Sequence, residues 1–496
     1  MTYVLQYHIG YLSTSQQVTY GKTKNNHIIY KAYDYSIEYH HLNNMLSYYL
    51  IPYNGKLKGK LIIIYKTNNN YGTIIDIIGV ASDDIVIKTL QYIYNIYRKN
   101  SIIQFVKSAS QLVKNDLENN ITREFINSYV FSIDPDNCED IDDAISFEHF
   151  ENYNIINVYI AQPIYYLSSN ILKSHSLNSF STLYNNPYAA NTNLWGDILT
   201  HNTSLYENNI RPAYMVSYVI NKTNLSCDDI RYKPVYIINK KQLTYDNCLN
   251  DENVLNCYNF TKLLSNINDT HEFINYWMTK TNTFIGTTFG SILNLPYRVI
   301  SNITFNDMFN NISDTQVKNT FLYKKNQGAY YSLAESYHEQ LNVSYYVHFT
   351  SPIRRLIDTI IHWCITYSIN FKDLDIDINN INMFDKLIKK YHSNINLLNM
   401  INKITDCNEY EGWIYKNDWE ECMQKKACIK ITVYFKEFGF QRVELWNKKL
   451  YNLLSDDIIN KLNKIKIGTK YLFTIYKKNG FLPKEQILII MNDLIN

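Results

Sequence analysis

What the chain lacks narrows the reading first. Gly (14) and Pro (9) are scarce for 496 residues, which excludes a collagen-like or Pro/Gly-rich disordered chain. The longest apolar runs, such as Leu61–Ile64 and Ile487–Met491, have the length of strands and cannot span a bilayer. The eight cysteines (138, 227, 248, 257, 364, 407, 422 and 428) form no Cys-x-x-Cys pair, which disfavours a zinc ribbon or a disulfide framework. The first residues show no basic segment followed by a long apolar stretch, so no secretory leader is expected. A soluble protein of a reducing, cytoplasmic compartment follows as the expectation, with no membrane partner. Net charge is also small, +2, which at first argues against a polyanionic partner.

What is present changes that last inference. Residues 1–123 carry a net +6, residues 425–496 a net +8, and the middle a net −12. Two basic flanks around an acidic centre need a reason. The 46 Tyr, with abundant Asn and Ile, read as the mark of AT-rich coding rather than as chemistry. Length and a 46% hydrophobic share are ample for two to four cored domains.

Short alternating runs dominate the first part. Lys60–Tyr65 and Thr73–Gly79 read as two strands of a hairpin, and with Gly10–Tyr20 and Asn26–Asp34 they suggest a small β-barrel. Helical spacing begins at Asp83. Strands are expected at 129–134, 144–150 and 156–161, and helices at Ser265–Phe289, Gln327–Leu341 and Ile353–Tyr367. Strand-like segments return after residue 428.

Two segments carry chemistry. Between the strands ending at Asp134 and starting at Ala144, six carboxylates (Asp134, Asp136, Glu139, Asp140, Asp142, Asp143) fall within ten residues, and no Lys or Arg occurs from 124 to 172. Carboxylates this close raise one another's pKa unless a cation answers them. The answer is either a divalent metal, for which an all-oxygen set suits Mg²⁺ or Mn²⁺ rather than zinc, or an arginine brought from elsewhere in the chain. A solvated acidic loop is the plain alternative. A Ca²⁺-binding EF-hand is disfavoured, because the obligatory Gly position holds Glu139. The second segment is His348-Phe-Thr-Ser-Pro-Ile-Arg354-Arg355-Leu-Ile-Asp358. Ser351-Pro352 reads as a helix start, which would put two arginines in a first turn where they oppose the helix dipole and call for an anion. An ordinary surface arginine pair is the alternative.

Together, Ile133–Ala144 and His348–Asp358 resemble the two signatures of the RNase II / RNB family of exoribonucleases, in family order. Supporting matches include Ser204-Leu205 with Arg211-Pro212, Met278 with Asn282, and Tyr297-Arg298-Val299. The resemblance implies an α+β multidomain protein with a central mixed α/β RNB catalytic domain flanked by small OB-type β-barrels. The expected organisation is a cold-shock/OB-like RNA-binding barrel at 1–80, a connector at 81–120, the RNB domain at 121–425 and a shortened basic OB-like domain at 426–496. The implied activity is processive, metal-dependent 3′→5′ hydrolysis of single-stranded RNA to 5′-mononucleotides by a monomer. By position, Asp134, Asp140, Asp142 and Asp143 match the metal-holding residues of a two-Mg²⁺ site that Mn²⁺ can share. Asp142 also matches the residue whose loss removes activity while sparing RNA binding. Arg354, with Arg355 second, matches the arginine at the scissile phosphate. Tyr184 falls where the family places an aromatic over the 3′-terminal base, with Tyr245, His348, Thr350 and Ser351 as further RNA contacts. The chain departs from the family at Gln162, at Ile300, and at a late acidic residue expected around Asp406–Glu409. A weakened homologue that binds RNA or scaffolds a decay complex is the alternative.

Overall fold

The computed structural model describes residues 7–15, 19–35, 48–94, 122–167, 180–185, 191–300, 309, 311–325, 329–334, 337–339, 341–417, 419–424, 428–446 and 456–492. Most of the expected connector at 81–120 lies outside these residues. Among them no helix is long and apolar enough to cross a membrane.

The N-terminal strands β1 (His8–Ser13), β2 (Ile28–Asp34), β3 (Tyr48–Tyr53), β4 (Lys60–Asn68) and β5 (Tyr71–Val80) close into a barrel in the order β1-β2-β3-β5-β4. The expected hairpin is β4–β5, with Asn68 opposite Tyr71. Leu61, Ile63 and Tyr65 of β4 fill the barrel, whereas Ile62 faces outward against the helix α1 (Asp83–Ile93). Burial of both faces explains why β4 reads as a continuous apolar run rather than an alternating one.

The central unit holds β6 (Glu124–Phe125), β7 (Val130–Asp134), β8 (Asp143–His149), β9 (Tyr153–Ala161), then helix α2 (Asp197–Thr203), β10 (Ile210–Asn221) and β11 (Cys227–Thr244). The sheet order is β10-β9-β8-β7-β11-β6, and β10 also pairs with β11, so the sheet returns on itself. Val130, Ile141, Ala144, Tyr159, Ala213 and Val235 pack in its interior. Pairing of β7 with β8 stops at Phe131, while β7 continues beside β11 to Asp134. The ends of β7 and β8 are thus parted, which leaves room for the acidic loop between them.

Helices α3 (Glu252–Leu264) and α4 (Thr270–Leu293) follow, then β12 (Tyr297–Val299), α5 (Thr315–Lys325), β13 (Tyr330–Ser332), β14 (Tyr337–His338), β15 (Val343–Ser344), α6 (Leu356–Tyr367) and α7 (Ile378–Ile401). Helix α6 is buried along nearly its whole length, from Leu356 to Ile365, consistent with its apolar composition. The helix expected over Gln327–Leu341 is absent from its described residues, which form β13 and β14 instead. Tyr331 is tied there by bonds to the Asn382 side chain and by the Arg298 strand, which local propensity cannot register.

The C-terminal sheet is antiparallel in the order β18-β17-β16-β19-β20, built from β16 (Cys407–Asn417), β17 (Ile429–Phe435), β18 (Gly439–Trp446), β19 (Lys470–Lys477) and β20 (Ile487–Met491). It has its own apolar core. Because β16 pairs with both β17 and β19, the C-terminal unit begins near 407 and not at 426. The two flanks meet: Phe481 stacks on Tyr35 of the first barrel, and the Lys60 ammonium lies 5.5 Å from the Phe481 ring.

Helix α4 approaches the segment after β15 so closely that a Cβ on Gly286 would lie 1.7 Å from the Tyr345 carbonyl oxygen. Gly286→Ala should therefore lower stability by about 1–3 kcal/mol in thermal or denaturant unfolding. Ser291→Ala on the exposed face of the same helix should stay within about 0.5 kcal/mol.

Candidate active site

The acidic loop sorts its six carboxylates by where the chain is anchored. Ile141 is fully buried in the sheet interior, and its carbonyl accepts the Leu205 N–H. Ser204 and Tyr206 hydroxyls donate to the Glu139 carbonyl, and Asn137 takes a left-handed turn at φ 57°. This anchoring leaves Asp136 and Glu139 exposed and turns Asp134, Asp140, Asp142 and Asp143 inward. Those four line one cavity of about 400 Å³ together with Tyr184, Tyr245 and Arg354, and the exposed Glu139 borders it as well.

Each inward carboxylate meets a different neighbour. Asp142, 3% exposed, accepts the Ile353 N–H (2.8 Å) and the Arg354 Nε–H (3.2 Å). Asp140 accepts the Tyr184 hydroxyl (2.6 Å) and the Cys138 thiol (3.5 Å). Asp134 Oδ2 is buried without a hydrogen-bond partner. Desolvation, then the charge of Asp143, pushes the Asp134 carboxyl up to about 8. Desolvation raises Asp143 to about 6 against the opposing pull of Arg354 and Arg355, and raises Asp142 against Arg354. Desolvation works against the charge on Arg354, but Asp142, Tyr184, Asp140 and Asp358 together outweigh it and keep the guanidinium protonated.

The arginine turn is built by tertiary partners. Helix α6 starts only at Leu356, so both arginines precede it, contrary to a start at Ser351-Pro352. Apart from the Arg355 N–H, which bonds the Ser351 carbonyl (3.0 Å), the groups a first helical turn would use go to side chains. Asp142 takes the Ile353 N–H, Asp358 takes the Ser351 N–H (2.8 Å), and Trp195 Nε1 and the Thr359 hydroxyl donate to the Pro352 carbonyl. Residues 180–183 pair alongside, Thr182 N–H donating to the Arg354 carbonyl. Asn282 of α4 supports the segment from behind, accepting the Phe349 N–H and donating to Thr350 Oγ1.

The remaining predicted residues separate. Tyr184 and Tyr245 wall the cavity, and the Tyr245 ring stacks on His271 at 3.7 Å. Thr350 and Ser351 are buried inside the turn, where Ser351 Oγ accepts from Arg354 Nη2. Arg355 pairs with Asp358 (2.9 Å). His348 lies outside the acidic cavity, its Nδ1 2.7 Å from the Tyr331 hydroxyl, and desolvation among Arg355 and Arg298 keeps the imidazole neutral. The late acidic segment Asp406–Glu409 does not line the cavity. Glu409 sits on β16, bonded to Asn492. In its place α7 presents His392, whose Nε2 accepts the Tyr184 N–H (3.3 Å) with ring centroids 6.0 Å apart. No motif marks His392 in the sequence. Gln162 and Ile300, where the family pattern is broken, line no part of the acidic cavity.

The donor set suits a hard cation, being four oxygen ligands, desolvated, with one carboxylate oxygen unpartnered. Among the described residues, however, no three His, Cys, Asp or Glu side chains are already gathered around a common point. Asp142 and Asp140 are instead engaged by Arg354 and Tyr184.

Residues 122–253 and 256–370 match the RNB domain model. No curated protein matches the sequence. The apo form of Mycoplasma genitalium RNase R superposes with a TM-score of 0.70, at 16% identity, over 98% of this chain and 89% of that chain. The same protein in complex with double-stranded RNA gives 0.70 at 15% identity, covering 98% and 96%. Yeast Ssd1, a pseudonuclease, gives 0.66 at 11% identity, covering 99% and 83%.

Raised carboxylate pKa values make the folded state the better proton binder between the ordinary value near 4 and about 8. In EDTA, stability should therefore fall as pH rises from 5 to 8, and Asp134→Asn should flatten that fall. The melting temperatures should diverge by about 2–4 °C for each kcal/mol relieved.

Proposed function

Because this chain belongs to the RNB-domain family, we propose that it is a metal-dependent exoribonuclease that hydrolyses single-stranded RNA processively from the 3′ end, as a monomer, to 5′-mononucleotides. The observation that carries this reading is the inward set Asp134, Asp140, Asp142 and Asp143 facing Arg354 across one cavity. A desolvated carboxylate cluster destabilises the fold it sits in, and a chain with no use for a cation has no reason to keep four.

Two divalent cations, Mg²⁺ or Mn²⁺, held by these carboxylates would supply a nucleophilic water at neutral pH and offset charge on the attacking and leaving oxygens. The chain's own residues do the rest. The Tyr184 and Tyr245 rings offer faces on which a terminal base stacks without sequence preference. Arg354 reaches the cavity from a turn whose Ser351 and Ile353 amides and Pro352 and Arg354 carbonyls are held, so its planar fork is set for a phosphate's non-bridging oxygens. Phosphate binding gives Arg354 a second anion and frees Asp142 from its ion pair. His392 fixes the backbone of Tyr184, and with it the tilt of that ring.

A second reading, an RNA-binding homologue without hydrolysis, is favoured by the likeness to the yeast pseudonuclease and by the occupation of Asp142 by Arg354.

Asp142→Asn should abolish mononucleotide release from labelled single-stranded RNA while leaving binding within about threefold, and Arg354→Ala should lower kcat by roughly 10²–10³. Product analysis by gel with Mg²⁺, Mn²⁺ or EDTA is the measurement. Equal release by wild type, Asp142→Asn and the EDTA control would overturn the proposal. Tight binding with no release by wild type would select the second reading.

A further inference from the structure

Where the central unit meets the C-terminal sheet, α5, α7 and β18 enclose a cleft of about 650 Å³, within the size range of ligand sites. Among the described residues five lysines line it, Lys324 of α5, Lys386, Lys389 and Lys390 of α7, and Lys484, and no Asp or Glu does. Four of the five come from the segment whose net charge is −12. A random scatter of solvated charges on so acidic a unit does not put its cations together on one wall.

Lys386, Lys389 and Lys390 share a face of α7 by helical spacing, where like charges disfavour one another. Asp385 answers Lys389 at 3.0 Å. Among the described residues no ion pair answers Lys324, Lys386 or Lys390, all three exposed. The cleft also has aromatic walls. Phe440 of β18 lies under the Lys324 ammonium, 5.3 Å from ring centre to nitrogen, and Tyr94 at the end of α1, itself buried, has its hydroxyl held by Asn394. What the cleft offers a ligand is therefore clustered, largely unneutralised positive charge, which binds the phosphates of a nucleic acid without reading its sequence.

The cleft is separate from the catalytic cavity. The two share no lining residue; α7 lines the cleft with its lysines and is linked to the cavity only through the His392 bond to the Tyr184 N–H. We propose that this lysine cleft is a second single-stranded RNA site, holding the sugar–phosphate backbone of nucleotides upstream of the 3′ end that enters the acidic cavity. The binding claim stands on the cleft alone, and only its placement upstream rests on the exoribonuclease reading.

The test uses the full chain with Lys324, Lys386 and Lys390 changed together to Gln, which leaves the Lys389–Asp385 pair intact. A control changes three exposed lysines elsewhere, Lys262, Lys280 and Lys372, to Gln. Binding of labelled oligo(A), long enough to reach both cavities, is measured by anisotropy in EDTA across a salt series. The cleft variant should melt like wild type, bind roughly tenfold or more weakly at physiological salt, and show a slope of log K against log salt reduced by about 2, from about 0.7 per lost phosphate contact on a single strand. With Mg²⁺, its turnover of a trinucleotide should be unchanged while KM for the long strand rises. Unchanged binding, or an equal loss in the control variant, overturns the proposal. Competition by inorganic tripolyphosphate as strong as by oligo(A) also overturns it, in favour of a small-anion site. If no variant hydrolyses RNA but the binding difference persists, the catalytic reading fails and the cleft stands.

Discussion

The carboxylate of Asp142 receives both the backbone N–H of Ile353 and the guanidinium of Arg354, residues more than two hundred positions later in the chain. Asp142 is almost fully desolvated, and a buried carboxylate so placed is tolerable only with good hydrogen bonds and an opposing charge. Its partners in turn lie on a turn that could not hold its shape alone, because its own amides and carbonyls point at Asp142, Asp358, Trp195 and Thr359. Acidic loop and arginine turn are thus one construction, and neither has a defined geometry without the other.

The rest of the central unit serves that junction. The parting of β7 from β8 after Phe131 makes the cavity, and Ile141, sunk in the sheet interior, decides which carboxylates face it. Helix α4 supports the arginine segment through Asn282, with Gly286 allowing the close approach. Helix α7 reaches the site through His392 and faces a basic cleft with its lysines. Net charge along the chain then has a spatial meaning. The acidic centre encloses the carboxylates, and four of its lysines meet where the C-terminal sheet docks.

Much of this was legible in the order of residues, and the limits are instructive. The hairpin of the first barrel shows in its alternation and turn. The acidic run and the Arg354–Asp358 segment stand out because their charge density has no local compensation. The start of α6 was misplaced because Pro352 carries a local helix-start signal that tertiary hydrogen bonds override. Tyr330–Ser332 falls in a stretch of helical spacing, and nothing nearby in sequence reveals its pairing with Tyr297–Val299. The C-terminal unit begins at β16 because Cys407–Asn417 pairs with strands on either side of it in space, and an acidic start to that strand looked like part of the site. His392, a lone histidine on a lysine-rich helix, carries no pattern at all.

By itself the sequence determined the inventory: which carboxylates, arginines and aromatics exist, how they are ordered, and that a cation must meet the acids, since like charges at fixed close spacing repel in any fold. Only the tertiary structure decided the assignment. It turned Asp134, Asp140, Asp142 and Asp143 inward, left Asp136 and the cavity-bordering Glu139 exposed, set Arg354 rather than Arg355 against Asp142, and placed His348 outside the cavity. The reason is that direction belongs to anchored backbone. Adjacent residues in a loop have nearly equal local preferences, and which of them faces a cavity is settled by distant atoms such as the Leu205 amide and the Trp195 indole.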